Sequence, residues 1–185
     1  MTGKCTALEA ANYLIFLMND SFDDLSNMKL NKLLYYAQGQ YLLQKGEVLF
    51  DDDIEAWEHG PIIDKVYQKY KNSGDASISD YDTYMARQMP EDCADVLMKV
   101  AREYGRYTAS ALRNKTHVPN GPWDRVYVEG KNHTVIPVSY IKEYFEKNEK
   151  EIAEVEIPLS NEDFIGRRDE NGYLVLPKEW NDEEI

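Results

Sequence analysis

The chain contains only two cysteines, Cys5 and Cys93, far apart in sequence. Such a spacing makes neither a zinc motif nor a redox pair of neighbouring thiols. Reduced thiols in a cytoplasm are the simpler expectation, with a single disulfide as the open alternative. Histidine is almost as scarce. His59, His117 and His133 are the three present, and their spacings match no metal site, so neither a metal nor a cofactor is expected. Long apolar runs are missing too: the longest, Tyr13 to Met18, is far shorter than the roughly 20 residues a membrane helix needs. The segment Met1-Thr2-Gly3-Lys4-Cys5 lacks the basic stretch and apolar run of a secretory leader, which points to a cytoplasmic protein. There is no phosphate-binding glycine loop, no nucleophile elbow and no two-histidine zinc helix. Positive charge is also in short supply, with 21 Lys and Arg against 34 Asp and Glu, a net charge of −13. A field of that sign repels nucleic-acid backbones and attracts basic proteins. The plainer reading is that the acidity keeps the protein soluble.

What is present suits a globular chain. Its 185 residues, 43% hydrophobic, are enough to bury a sizeable core without a disulfide or metal. The 14 tyrosines can pack a ring while keeping the hydroxyl wet, in a core or at a partner surface. Thr6 and Glu9 form a capping-box pattern, and Leu8, Ala11, Leu14, Ile15 and Met18 then recur at helical spacing, predicting a helix over about 7–18. Leu30, Leu33, Leu34, Ala37, Tyr41 and Leu42 predict a second over about 28–44, capped by Ser26 or Asn27 and closed by Gly46. Alternation through Ile54 and Ala56 suits a short strand near 54–58. Pro61 has the chemistry of a first helical position, so a helix is expected from Ile62 to about Lys71. Residues 73–89 read as loop. Pro90 opens a helix to Tyr104 with Cys93, Val96, Leu97, Val100 and Ala101 inward, Thr108 caps another to about Asn114, and a last runs from Ser139 to Asn148. A helical turn fits Trp123 to Val126.

The character changes after Lys150. Residues 142–185 hold 14 acids and 6 bases, a net of −8. Alternating Val155, Ile157 and Leu159, and the run Gly172 to Leu176 after a turn, suggest a C-terminal hairpin or flap, ordered on its own or only on binding a partner. The expected fold is therefore mainly α, a compact helical bundle with a short β element near residues 54–58. The expected division is a helical domain over 1–150 and an acidic extension over 151–185.

Two segments stand out chemically. One is Glu55-Ala56-Trp57-Glu58-His59-Gly60-Pro61, the other Thr116-His117-Val118-Pro119-Asn120-Gly121-Pro122-Trp123. Each joins a Trp and a His to a Gly/Pro turn. Trp57, His59, Gly60, Pro61, Thr116, His117 and Trp123 are thus the candidate site, as a pocket wall or partner-binding surface. The structural alternative is that indoles fill volume, imidazoles satisfy turn backbone and Gly-Pro redirects the chain. No catalytic residue is singled out. Cys93 sits on an apolar stripe, where packing is its natural role, and neither Glu58 nor Asp124 is distinguished by spacing.

These motifs carry a resemblance. Lys29-Leu30-Asn31-Lys32-Leu33-Leu34-Tyr35-Tyr36-Ala37-Gln38-Gly39, the stretch Leu49-Phe50-Asp51 with Ile54 to Ile62, and Thr116-His117 followed by Pro122-Trp123 resemble, in order and spacing, the Panacea antitoxin domain of SocA-like and phage-associated GepA-like proteins. The resemblance covers about residues 8–127. Ile62 stands where Val is usual, the linker 118–121 is longer, and residues beyond about 150 match nothing. It implies a mainly helical, non-enzymatic protein that neutralises a toxin encoded by the adjacent gene through direct contact. One branch instead implies an adaptor that hands the toxin to a protease complex. Neither nucleic acid nor membrane is an expected partner. An enzyme using His59 and His117 is the remaining alternative.

Overall fold

The computed structural model describes residues 5–19, 25–74, 76–131 and 133–148, together with the backbone pairing of 167–168 and 174–175. It is mainly helical. Helix α1 spans Ala7–Met18 and carries the full capping box: Thr6 accepts from the Glu9 amide and the Glu9 carboxylate accepts from the Thr6 amide. Its apolar face, with Ala10, Ala11, Leu14, Ile15 and Met18, is buried.

Helix α2, Asn27–Lys45, is the axle of the molecule. Ser26 caps it, and Gly46, at φ 71°, supplies the left-handed residue that ends it. The Leu30, Leu33, Leu34, Ala37, Tyr41 and Leu42 stripe is buried as the periodicity predicts. The opposite face is buried as well, including Lys29, Asn31, Lys32, Gln38 and Gln40. A helix enclosed on every side must satisfy such polar groups internally. Gln38 does so by clamping the 49–50 loop: its Oε1 accepts from Leu49 N at 2.9 Å and Phe50 N at 3.3 Å, and its Nε2 donates to Phe50 O at 3.1 Å. Asn31 Oδ1 accepts from Ile63 N at 2.9 Å.

Strand β1, Glu55–Trp57, pairs antiparallel with β2, Gly60–Ile62, and on its other side with β3, Thr134–Val135. The turn between β1 and β2 is Glu58-His59, followed by Gly60 at φ 96°, a conformation that favours glycine. Helix α3 (Asp64–Tyr70) follows, and Lys71–Ser73 continues it as a 3-10 turn. Then come α4 (Thr83–Arg87), α5 (Glu91–Tyr104), α6 (Ala109–Thr116) and α7 (Val138–Lys147). Helices α5, α6 and α7 all pack on α2. Tyr36 stacks on Tyr104 of α5 at 4.3 Å, and Phe145 of α7 meets Tyr35 and Tyr36 edge-on at 5.9 and 6.1 Å.

Three expectations are corrected. Pro61 does not start a helix: it lies in β2, and the helix begins at Asp64. Side chains from α2 hold this segment extended, with Lys32 Nζ on Pro61 O at 2.9 Å and Asn31 on Ile63 N. Residues 73–89 are not all loop. They contain α4, anchored where Asn12 donates to Asp82 O at 2.9 Å and accepts from Asp82 N at 2.7 Å, with Asp82 as N-cap. Strand β3 was not anticipated; Thr134 and Val135 pair with Ala56 and Glu55 of β1, and the next residue, Ile136, donates its amide to Ile54 O at 2.7 Å, so distant backbone rather than any local pattern forms it. In the tail, β4 (Arg167–Arg168) pairs antiparallel with β5 (Leu174–Val175), and β5 falls where the second strand is expected. The expected strand at 155–159 lies outside the described residues.

Candidate functional site

The two Trp-His segments converge. The β1–β2 hairpin lies against the end of α6 and the turn that follows it, with α2 beneath. Trp123 Nε1 donates to Trp57 O at 2.8 Å. The Trp123 ring contacts His117 at 3.8 Å between centroids and stacks on Tyr127 at 4.4 Å. One helical turn, with Tyr127 N on Trp123 O at 2.9 Å, orients that indole. Thr116 Oγ1 donates to Arg113 O at 2.8 Å. A Cβ on Gly60 would sit 2.8 Å from Thr116 Oγ1, 3.0 Å from Lys32 Cε and 3.1 Å from His117 Cε1. Three candidate positions, Gly60, Thr116 and His117, therefore close around one point with Lys32, where backbone and side chains interlock.

The electrostatics explain what this knot can do. His117 Nδ1 lies 2.7 Å from Arg113 O and its Nε2 lies 3.3 Å from Glu58 O. Burial, aided by the charges of Arg113 and Lys32, pulls the His117 pKa below its ordinary value despite those two carbonyls. The neutral ring then carries its proton on Nδ1, which has the shorter contact. Lys32 is fully buried, and burial first, then Arg113, lowers its pKa to about 7. Arg113 Nε is itself buried without a hydrogen-bond partner. Among the described residues no carboxylate pairs with Lys32, Arg113 or His117. The knot is a desolvated basic centre inside an acidic protein.

The remaining candidates lie apart. His59 is exposed in the hairpin turn. Trp57 turns its ring to the outer face of the sheet. There its Nε1 donates to Glu55 Oε2 at 2.8 Å, and its ring meets Tyr67 at 4.9 Å and His133 at 4.7 Å. His133 Nδ1 shares the same Glu55 oxygen at 2.8 Å, from a backbone at φ 67°. The three histidines do not meet, and among the described residues no group of three His, Cys, Asp or Glu could hold a metal.

Beside Glu55 opens a cleft of about 690 Å³, lined by Glu9, Asp51, Asp52, Asp53, Glu55 and Asp64 with Lys65 as its one cation. Burial raises the Asp52 pKa, but hydrogen bonds from Lys65 at 2.6 Å and the Ala7 amide at 2.9 Å outweigh it and hold the carboxyl below its usual range. Sequence reasoning missed Lys32, Arg113, Glu55 and His133. Lys32 stands inside a quoted motif, but a lysine one position from a leucine stripe ordinarily reads as solvated.

Trp123→Phe isolates one contact of the knot. The substitution keeps most of the ring packing and leaves the Trp57 carbonyl without its donor, at an expected cost of about 1–3 kcal/mol. Urea unfolding should show a lower midpoint with an unchanged slope.

The description "Antitoxin SocA-like, Panacea domain" matches residues 30–124. That span contains the whole knot, from Lys32 through Gly60, Pro61, Thr116 and His117 to Trp123. The chain is also 32% identical over 110 residues to "Antitoxin SocA" of Caulobacter vibrioides (strain NA1000 / CB15N), an alignment covering 54% of this chain and 58% of that relative. No solved structure matches. Among the described residues no helix is long and apolar enough to cross a membrane. By the match over half its length, to a domain whose span frames the interlocked hairpin and α6 turn, this chain belongs to the SocA-like Panacea-domain antitoxin family.

Proposed function

We propose that this chain is an antitoxin that neutralises a cognate toxin, encoded by an adjacent gene, by covering part of the toxin's surface. The observation that supports this most is where the signature polar groups point. Trp123 Nε1, Lys32 Nζ and His117 Nδ1 are all committed to backbone carbonyls of the chain itself. They build a rigid platform, and the exposed surface around it is left for contact. Beside it lie the acid-lined cleft and the half-buried Trp57. Acidic groups steer a basic partner, and an aromatic ring supplies an anchor in such interfaces. The acidic stretch over 151–185 selects among partners in this reading.

The test is co-expression of the full chain with the product of the adjacent gene. Growth should be rescued, and the two proteins should co-purify, with association slowing as salt rises. Lack of rescue when both proteins are present at matched levels overturns the reading. Toxin half-life in protease-deficient cells separates occlusion from delivery: stable, bound toxin fits occlusion, and turnover that stops without the protease fits an adaptor. His59→Ala should leave protection intact, since that ring lies exposed in a turn; loss of protection with the fold intact would point to chemistry at the hairpin.

A further inference from the structure

The outer side of α1 carries an apolar stripe that the core only partly covers. Tyr13, Phe16 and Leu17 fall at i, i+3 and i+4 and so share one helix face. Each is half-buried, whereas Ala11, Leu14, Ile15 and Met18 are buried. Phe16 meets the Tyr13 ring at 6.1 Å and the half-buried Tyr81 ring edge-on at 5.7 Å. Helix α4, which packs on α1, follows directly, and its Tyr84 and Met85 are 76% and 37% exposed. A helix of five residues, Thr83–Arg87, spans only about 7 Å, so these two side chains stand close to Tyr81.

This segment is anchored from below. Asn12 is buried and commits both ends of its amide to the backbone of Asp82, accepting from N at 2.7 Å and donating to O at 2.9 Å. The Asp82 carboxylate in turn accepts from Met85 N at 3.0 Å. Helix α4 buries only Ala86, so the main effect of this anchoring is to fix where Tyr84 and Met85 stand. Side chains held in place before binding lose less freedom on association, and a fixed aromatic ring is the usual anchor of an interface.

The surrounding charge has one dominant sign. Helix α1 has Glu9 and no base, and residues 76–98 have Asp80, Asp82, Glu91, Asp92 and Asp95 against Arg87. Burial, and then the Asp95 charge, raises the Tyr13 pKa. This distribution decides between occupants. A second copy docking by twofold symmetry would bring like acids face to face. A segment with an apolar centre and a basic rim would meet apolar surface in the middle and opposite charge at its edge.

We propose that the face formed by α1 and α4 is a docking surface for the toxin, and that it takes an apolar toxin segment flanked by lysine or arginine, with Tyr84 as the anchor. This rests on the antitoxin reading and adds the contact face to it. Glu9, one turn before Tyr13 on the same stripe, lines the acidic cleft, so α1 joins the cleft to this face.

The test measures binding kinetics of the full-length chain with the product of the adjacent gene. Tyr84→Ala combined with Met85→Ala should raise Kd by about thirtyfold or more, chiefly through faster dissociation. The melting temperature of that variant should stay within about 2 °C of the native value, since both side chains are exposed. Asp80→Lys should slow association about threefold to tenfold at low salt, and the difference should fade as salt rises. Val138→Ala, exposed at the start of α7, should change neither rate. Unchanged affinity in the double variant, with the native chain binding, overturns this proposal and leaves the antitoxin reading standing. No binding by the native chain overturns both. A dimer of the native chain alone that the double variant converts to monomer also overturns it, by assigning the face to a second copy.

Discussion

Replacing Gly39 with alanine is expected to destabilise the protein by about 2 kcal/mol, although helix propensity predicts the opposite. Gly39 lies within α2, Asn27–Lys45, where alanine is favoured over glycine by about 1 kcal/mol. The space it leaves is already occupied. An added Cβ would fall on the ring of Phe145, at Cε2, Cζ and Cδ2. That ring is fully buried and flanked edge-on by Tyr35 and Tyr36, so it cannot swing aside without displacing other aromatics. Overpacking of this kind costs about 1–3 kcal/mol, occasionally more, and a contact shared by three carbons of one rigid ring sits at the upper end. The net should lower the melting temperature by roughly 5 °C. The decisive comparison is a double-mutant cycle with Phe145→Leu. In that background Gly39→Ala should be neutral or stabilising, because the obstructing ring carbons are gone. A higher melting temperature for Gly39→Ala in the native background would mean that α7 does not pack on α2 through this ring.

The elements that sequence pattern makes legible are those whose signals are local. The α1 capping box joins residues three apart, and α2 ends at a glycine that needs only its own φ. Both helices lie where spacing puts them. The errors have one cause. The segment from Gly60 to Ile63, the residues around Asp82, and β3 are shaped by partners distant in sequence. Lys32 and Asn31 hold 61–63 extended, and Asn12 secures the backbone at Asp82. Proline's fixed φ is compatible with an extended edge strand as well as with a first helical turn, so the tertiary hydrogen bond decided between them.

The candidate site was legible as two sequence segments but not as a mechanism. Their convergence follows from Trp123 reaching the Trp57 carbonyl, which spacing cannot show. Gly60, Thr116 and His117 meet, and His59 does not join them, because a two-residue turn points its second side chain to solvent. The buried amides and ammonium of α2 were invisible for a more general reason. Periodicity marks where apolar residues face, and α2 is enclosed on both faces. Gln38 and Lys32 substitute for backbone partners that the 49–50 loop and β2 would otherwise lack.

Lys32 gives the sharpest pH prediction. Its pKa falls from 10.5 to about 7 on folding, chiefly through burial and then through Arg113. Between those values the unfolded chain binds more protons than the folded one, so this group makes stability rise with pH, by an amount of order 3 kcal/mol between pH 6.5 and 9.5. Below 7 the folded state carries the full cost of a buried ammonium. The lowered His117 pKa acts in the same direction only below about 6.5, the raised Cys5 pKa opposes it only as pH passes about 9, and the raised Tyr35, Tyr36 and Tyr104 pKa values reduce stability only as pH passes about 10. Most of the window therefore belongs to Lys32, and Cys5 acts equally on the native protein and on a Lys32 variant. Lys32→Met keeps the volume and removes the charge, but it orphans the Pro61 carbonyl at about 1–3 kcal/mol. The variant should therefore be more stable than the native protein near pH 6.5, by about 2 kcal/mol, and no more stable than it near pH 9.5. Denaturant titrations at the two pH values measure this directly, because the curves should converge or cross. Parallel curves would mean that Lys32 stays protonated in the fold throughout, with the Pro61 carbonyl solvating the ammonium well enough to replace water.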